Sequence, residues 1–290
     1  MAVGNFLVNG NERPLLYVFV AFASVAIWST VPLTIRLVTT LKKRSGLYFW
    51  SILISSWGLC IRQIGYTAQF LTSTCPWWVS LILGQGGWIA MVTGFNLVLY
   101  SRLNLILESY RIRRFILYAI LFNGFVWHTT MCTLSSGVAY NRNAGPRGRA
   151  RVPAWTHVID SLEKAQIVIL SGQEITISLL YIRAAYQYLR GRFAQPGKIR
   201  NAMLLLVLVQ VIIISLDITL IVIDCAGYLQ LKLFTFSFIY SVKLELEFVV
   251  LNQLVEISTM DPTLMIPSAS SPDLRDVKLE GRYVRSSQYK

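Results

Sequence analysis

Long apolar stretches, separated by short polar and basic segments, run along most of the chain. A membrane-spanning helix needs about 20 mostly apolar residues. Seven stretches meet this length, at residues 14–36, 47–71, 76–100, 115–137, 165–187, 202–224 and 231–257. The pattern predicts an all-α, polytopic membrane protein that folds as a bundle of seven transmembrane helices.

The basic residues between these stretches predict the orientation of the bundle. Seventeen Lys and Arg residues fall in the segments 36–46, 101–114 and 188–201 and in the tail after residue 257, against seven on the opposite side. Because cytoplasmic segments carry the excess of Lys and Arg, we expect the N-terminus to be lumenal or outside and the C-terminus cytosolic. The segment 138–163 is basic on the lumenal side and is expected to be a polar, flexible loop.

The chain divides into three predicted segments. Residues 1–13 form a short lumenal N-terminus, 14–257 the membrane domain, and 258–290 a tail rich in Ser, Pro and mixed charge that is typical of disorder. Cys75 and Cys225 fall near helix ends on the same predicted side. Both a lumenal disulfide between them and two free thiols fit this placement.

Composition narrows the classes of function. Hydrophobic residues make up 54% of the chain and charged residues 14%, with a mean hydropathy of +0.54. A soluble protein has about 25% charged residues. A nucleic-acid-binding domain is therefore a poor interpretation of the net charge of +13, which fits loops facing anionic lipid headgroups. The chain has no phosphate-loop, dinucleotide-binding or HExxH motif, so we expect no cofactor and no metal.

Several ionisable side chains lie within the predicted helices, where they are costly and mark functional sites. The candidate catalytic residues are Arg62, His128, Glu174, Asp217, Glu245 and Glu247. With Lys243, the set contains two cations and four acids, so at least one acid is expected to lack a cation and to be protonated. A neutral carboxylic acid in an apolar cavity is a strong general acid for a lipophilic substrate.

A structural interpretation of the same residues is equally open, because ion pairs also hold helices together. Arg62 would then pair with Asp217 or Glu174, and Lys243 with Glu247 one turn further along its helix. His128 would be a hydrogen-bonded core histidine.

Aromatic side chains inside the helices add a second chemical feature. The candidate substrate-binding residues are Trp57, Tyr66, Trp127, Tyr181 and Tyr240. Aromatic faces stabilise cations through the ring quadrupole. An acid within an aromatic lining is what proton-initiated cyclisation of an isoprenoid olefin or epoxide requires.

Four segments resemble a fungal family of seven-helix integral membrane proteins. They are VLYSRLNLI at 98–106, SGQEITISLLYI at 171–182, SLDITLIVID at 215–224 and YSVKLELEFVVLNQLVEI at 240–257. Some fungal membrane proteins of this kind are terpene cyclases of ascochlorin- and ascofuranone-type meroterpenoid pathways, which open a terminal epoxide on a prenylated aromatic compound. The resemblance implies acid-triggered cyclisation in the endoplasmic reticulum membrane.

The leading hypothesis is therefore a membrane-embedded isomerase acting on a lipophilic, farnesylated substrate. Asp217 or Glu174 would be the acid, and Arg62 would tune the neighbouring acid. His128 or Glu245 would accept the final proton. Membrane lipid is the other expected partner, and no nucleic acid is expected.

Two other classes of function remain open. A seven-helix receptor fits the predicted topology and has Arg102 at the cytosolic end of its third helix, but it lacks an NPxxY motif in the seventh. A proton-coupled transporter would use the buried acids, but the inverted repeats common in such folds are absent. A retinal protein is disfavoured because Ile239, not an acid, precedes Lys243 by one turn.

Overall fold

The structure is a computed structural model that describes residues 13–40, 46–71, 76–107, 109–191, 197–227 and 229–260. Every regular element in these ranges is an α-helix. The helices are α1 (Arg13–Thr40), α2 (Leu47–Leu71), α3 (Trp77–Ile106), α4 (Tyr110–Asn143), α5 (Pro146–Arg149), α6 (Val152–Gly191), α7 (Gly197–Cys225) and α8 (Leu229–Met260). The predicted all-α class is confirmed, and each predicted stretch coincides with one of the seven long helices of the described residues.

The ends of the chain and one cysteine lie outside the described residues. Of the predicted N-terminal segment 1–13, only Arg13 is described, and it begins α1. Of the predicted tail 258–290, only residues 258–260 are described, and they form the end of α8. Cys75 also lies outside the described residues, whereas Cys225 is an exposed free thiol.

Five of the helices are long and apolar enough to cross a membrane. Within the described ranges they are Val20–Thr40, Trp77–Asn104, Tyr110–Asn143, Val152–Gln187 and Met203–Cys225. The outer surface is strongly apolar, with Trp28 exposed to 75% and Phe115 to 73%, as expected for a multi-pass membrane protein. The other two long helices, α2 and α8, carry buried polar residues such as Arg62 and Lys243.

The prediction of a flexible loop at 138–163 is wrong. Helix α4 continues to Asn143, α5 occupies one turn, and α6 begins at Val152. The chain reverses around Gly145, whose φ of 84° suits glycine. The ring of Trp155 packs against Gly137, so the two long helices stay in contact there. Only glycine allows this approach, because a Cβ atom at this position would lie 2.7 Å from the ring. The basic residues of this segment are therefore carried mainly by helix ends.

Helices α2 and α3 pack with their backbones in contact. A Cβ atom at Gly87 would clash with the backbone nitrogen of Arg62, and one at Gly58 would lie 2.6 Å from that of Met91. Small residues allow this approach between membrane helices. The hydroxyl of Ser55 donates to the Met91 carbonyl over 2.8 Å. The contact fixes Arg62 against α3, next to the centre of the bundle.

Side-chain contacts show that α3 and α8 run in the same direction. The rings of Trp88 and Phe236 lie 5.1 Å apart, and further along both helices Arg102 pairs with Glu247. Parallel third and seventh long helices are what a chain that alternates direction with each long helix produces.

Candidate functional site

A buried lysine at the centre of the bundle binds two carboxylates from two other helices. Lys243 of α8 donates to Glu174 Oε2 of α6 over 2.8 Å and to Asp217 Oδ1 of α7. All three side chains are fully buried. Together with Tyr240 and Asn96, they are called here the Lys243 cluster. The cluster joins α3, α6, α7 and α8.

The two carboxylates differ in the number of donors that they meet. Glu174 Oε1 accepts from the hydroxyl of Tyr240 over 3.1 Å and from Nδ2 of Asn96 over 3.3 Å, in addition to the lysine on Oε2. Asp217 receives Lys243 on Oδ1, and its Oδ2 has no hydrogen-bond partner in the described structure. Asp217 therefore has one buried oxygen that no donor of the described residues satisfies.

A chain of amides leads from α4 to Glu174. Asn123 donates to Gln173 Oε1 over 2.7 Å, and Gln173 donates to Asn96 Oδ1 over 2.8 Å. Asn96 in turn donates to Glu174 Oε1. Each amide is oriented by the next, so the chain of amides fixes the rotamer of Glu174. It also connects α4 to the Lys243 cluster.

A second buried ion pair lies one turn further along α8. Arg102 Nη2 is 2.8 Å from Glu247 Oε1, and both side chains are buried. With its amide oriented to satisfy both ends, Gln210 donates to Ser178 over 2.9 Å and accepts from Arg102 over 3.3 Å. The guanidinium lies over the ring of Tyr181, 5.0 Å from its centroid. These five residues are called the Arg102 cluster.

The third buried cation, Arg62, lies against aromatic rings. Its guanidinium carbon is 4.4 Å from the ring centroid of Trp88, 5.1 Å from that of Tyr66 and 5.6 Å from that of Phe236. Cation–π contacts of this kind compensate part of the cost of a buried charge. We call these four residues the Arg62 site.

The two clusters and the Arg62 site are stacked along one face of α8. Phe236, Tyr240, Lys243 and Glu247 are spaced by four, three and four residues, which keeps them on one side of the helix. At 1.5 Å per residue, the Arg62 site lies about 10 Å from Lys243, and Glu247 about 6 Å beyond it. The interior of the bundle is thus a column with three levels.

The predicted ion pairs are wrong in their partners. Arg62 was expected to pair with Glu174 or Asp217, but both of these carboxylates bind Lys243 instead. Lys243 in turn is not the partner of Glu247, which pairs with Arg102. The physical reason is that neighbouring helices supply partners at the same level, which are closer than the residue one turn away.

His128 lies in the core between α3 and α4. Its Nε2 is 3.1 Å from the hydroxyl of Thr93, one turn before Asn96 on α3. The interpretation as a hydrogen-bonded core histidine is confirmed. Its role as a proton acceptor stays a prediction.

The remaining predicted site residues are distributed over the whole bundle. Tyr240 belongs to the Lys243 cluster, Tyr66 to the Arg62 site and Tyr181 to the Arg102 cluster. Trp127 is half-buried on α4, and Trp57 is exposed to 48%. Three of the five predicted aromatic residues therefore lie in the column.

Glu245 lies apart from the column. Its side chain is 33% exposed and forms an ion pair with the exposed Arg36 of α1, at 3.7 Å. Lys243 and Glu247, by contrast, are both fully buried.

Sequence reasoning places Arg102 at the cytosolic end of the third helix and counts it with the basic segment 101–114, so it is absent from the predicted buried charges. Helix α3 continues to Ile106, so Arg102 is a buried helical residue. A signal was present, because Trp88, Phe95 and Arg102 recur every seven residues and so share one stripe of α3. Arg102 raises the number of buried cations from two to three.

The described residues contain no group of three or more His, Cys, Asp or Glu side chains that could hold a metal ion. What the arrangement can do chemically is donate and accept protons at Asp217 and Glu174 and stabilise positive charge with aromatic faces.

The chain belongs to the DUF7703 family, a domain of unknown function, whose model matches residues 13–264. This match begins with α1 and includes the whole of the described bundle. No curated protein and no solved structure matches the chain.

Proposed function

We propose that this member of the DUF7703 family is a membrane-embedded terpene cyclase that protonates an epoxide or olefin of a prenylated substrate. The observation that carries the proposal is the state of Asp217. It is fully buried, one oxygen binds Lys243, and the other has no partner among the described residues. A carboxyl group held in this way can deliver a proton to a lipophilic molecule in an apolar site.

The charge balance of the Lys243 cluster supplies the proton. One ammonium serves two carboxylates, so one further proton on the pair makes the cluster neutral. Glu174 is held by three donors, which leaves Asp217 Oδ2 as the oxygen that presents the proton.

The proposed reaction is an isomerisation. The proton passes from Asp217 to the epoxide oxygen, the C–O bond breaks, and an alkene π pair attacks the carbon left electron-deficient. Attack by an internal hydroxyl, or loss of a proton, ends the sequence. The Asp217 carboxylate is the nearest base for that final proton in this scheme, in place of Glu245, which lies outside the column.

Aromatic rings beside the acid support the carbocation step. The ring centroids of Tyr240 and Phe95 lie 4.7 Å and 5.2 Å from Lys243 Nζ. Tyr240 stacks on Phe236, with ring centroids 5.8 Å apart. A cation that passes along this column meets ring faces at each level.

The proposal includes the membrane arrangement. Seven spans, with a lumenal N-terminus and a cytosolic C-terminus in the endoplasmic reticulum, are supported by the seven long helices and by the excess of basic residues, which persists when Arg102 is removed from the count. Glycosylation acceptor sites added at each end test it. Modification at the N-terminal end alone is expected, and modification at the C-terminal end would contradict it.

The relation to fungal meroterpenoid cyclases is also part of the proposal. Its support is that segments 171–182, 215–224 and 240–257, which contain Glu174, Asp217 and Lys243, resemble a fungal family of seven-helix membrane proteins, and some fungal proteins of this kind are terpene cyclases. These three residues are fully buried.

The experiment is an isomerisation assay with microsomes from a host that expresses this chain alone. The substrate is a farnesylated phenol with a terminal epoxide, and mass spectrometry follows a product of equal mass and altered retention. Asp217→Asn is expected to remove this product. Glu245→Gln is the matched control on an acid outside the column.

A seven-helix receptor is the second candidate function, and the Arg102–Glu247 pair favours it. This buried pair connects the third and the seventh long helix at one end of the column. An interhelical contact with two alternative arrangements is what a receptor uses to couple ligand binding to a helix movement. Ligand-dependent coupling to a G protein, with higher basal coupling in Glu247→Gln, would support it.

A further inference from the structure

Arg62 is a buried cation with two nitrogen atoms, Nε and Nη1, that have no hydrogen-bond partner among the described residues. The side chain is 6% exposed. A guanidinium stays protonated in proteins and has five N–H donors but no acceptor. The Arg62 site therefore offers at least two unused donors on a permanent charge.

The surroundings of this cation are built to hold it in place. Trp88 of α3, Tyr66 of α2 and Phe236 of α8 contact its guanidinium, and the backbone contact at Gly87 fixes the start of its side chain. The ring faces compensate part of the positive charge. They do not accept hydrogen bonds from the N–H groups, which point outward in the plane of the guanidinium. A buried donor without a partner is costly, so an oxygen ligand at this place would be bound strongly.

We infer that the Arg62 site binds the acidic oxygen group, a carboxylate or phenolate, of the lipophilic substrate. The inference rests on the proposed function and extends it, because it defines the substrate as an elongated amphiphile with an acidic head. The head binds at Arg62, and the isoprenoid chain extends along the column toward Asp217.

The spacing of the column fits such a molecule. The Arg62 site and Lys243 are about 10 Å apart along α8. The ring of Phe236 in the Arg62 site stacks on the ring of Tyr240 in the Lys243 cluster, so aromatic faces connect the two levels. In the inferred binding mode, an apolar chain attached to the acidic head follows these rings toward Asp217 Oδ2, which has no hydrogen-bond partner among the described residues.

The test compares two probes on the purified full chain in nanodiscs of neutral lipid. One is a farnesylated benzoic acid with a terminal epoxide, and the other is its methyl ester, which differs only in the acidic group. The variants are Arg62→Gln and Arg62→Lys, with Arg36→Gln as a matched control because Arg36 is an exposed arginine. Affinity is measured by ligand-dependent thermal stabilisation, and turnover by mass spectrometry.

The wild type is expected to bind the acid about tenfold more tightly than the ester, the value of one charge-assisted hydrogen bond. Arg62→Gln is expected to remove the preference by weakening the acid alone, and Arg62→Lys to retain part of it. The control keeps the full preference. Equal affinity of the wild type for both probes overturns the inference without any variant, and so does an unchanged preference in Arg62→Gln.

The two proposals fail in distinguishable ways. Turnover of the acid and the ester with equal KM supports the cyclase activity and overturns the inference that the Arg62 site binds the acidic group. Acid-selective binding that depends on Arg62, without any isomer, supports the head-group site and contradicts the cyclase. A third arm uses nanodiscs containing phosphatidic acid. If this lipid displaces the acid probe in the wild type but not in Arg62→Lys, the site binds a lipid headgroup, and the assignment to substrate is overturned.

Discussion

Lys243 Nζ lies 2.8 Å from Glu174 Oε2, and both side chains are fully buried in the centre of the bundle. The same ammonium binds Asp217, so one cation connects α6, α7 and α8. This contact joins the last three long helices, and it contains the proposed general acid, Asp217.

Removing the ammonium is expected to destabilise the bundle. Lys243→Met leaves two buried carboxylates without their cation, and the loss of one partner of a buried pair costs about 3–5 kcal/mol. Unfolding of the purified protein in mixed micelles measures this cost.

The control for this prediction is the triple variant Lys243→Met, Glu174→Gln and Asp217→Asn. It removes all three charges together and is expected to recover most of the lost stability, since a neutral set is not penalised in the same way. Wild-type stability in Lys243→Met alone would show that the triad does not hold the helices.

The Arg102–Glu247 pair is expected to behave as a coupled unit. Arg102→Met and Glu247→Leu should each cost about 3–5 kcal/mol, whereas the double variant should cost clearly less than their sum. A double-mutant cycle on unfolding in mixed micelles gives the coupling energy. Additive costs would contradict a direct interaction between the two side chains.

The contact between α2 and α3 makes a prediction with two adjacent glycines. A Cβ atom at Gly87 would meet the backbone of Arg62, whereas one at Gly86 would meet nothing within 4 Å. Gly87→Ala is expected to cost about 1–3 kcal/mol through overpacking. Gly86→Ala is expected to stabilise the helix by about 0.5–1 kcal/mol. Equal melting temperatures of the two variants would contradict the backbone contact.

The exposed pair of Glu245 and Arg36 is expected to contribute little. A partly exposed ion pair is worth about 0–1 kcal/mol, because solvent screens it. Glu245→Gln should therefore leave the melting temperature and the isomerisation rate close to those of the wild type. A large loss of rate would return Glu245 to the proton-transfer scheme that its position argues against.

Much of the architecture could be predicted from apolar stretches alone. Their length predicts each of the seven long helices, and Glu174 and Asp217 fall within two of these stretches, where a carboxylate facing lipid would be costly. Both are fully buried. The physical reason is that lipid offers these carboxylates no hydrogen-bond partners, whereas the interior of the bundle does.

The partners of the buried charges could not be predicted in this way. Arg62 is a plausible partner for Asp217 in the sequence, but the cation that reaches Asp217 is decided by which helices are adjacent and at which level. Arg102 was not recognised as a buried charge because the predicted apolar stretch ends at residue 100, whereas helix α3 continues to Ile106. The charge of Arg102 is buried beside Glu247, a partner that sequence alone does not assign.

The measurement that tests the central claim most directly compares wild type, Asp217→Asn and Glu245→Gln in the microsomal assay with a farnesylated epoxide. The account predicts an isomer of unchanged mass from the wild type and from Glu245→Gln. It predicts a rate lower by about 10²–10⁴ from Asp217→Asn, the usual contribution of a general acid. All three proteins should be present in the membrane in equal amounts. A wild-type rate in Asp217→Asn, or no isomer from the folded wild type across epoxide and olefin substrates, would contradict it.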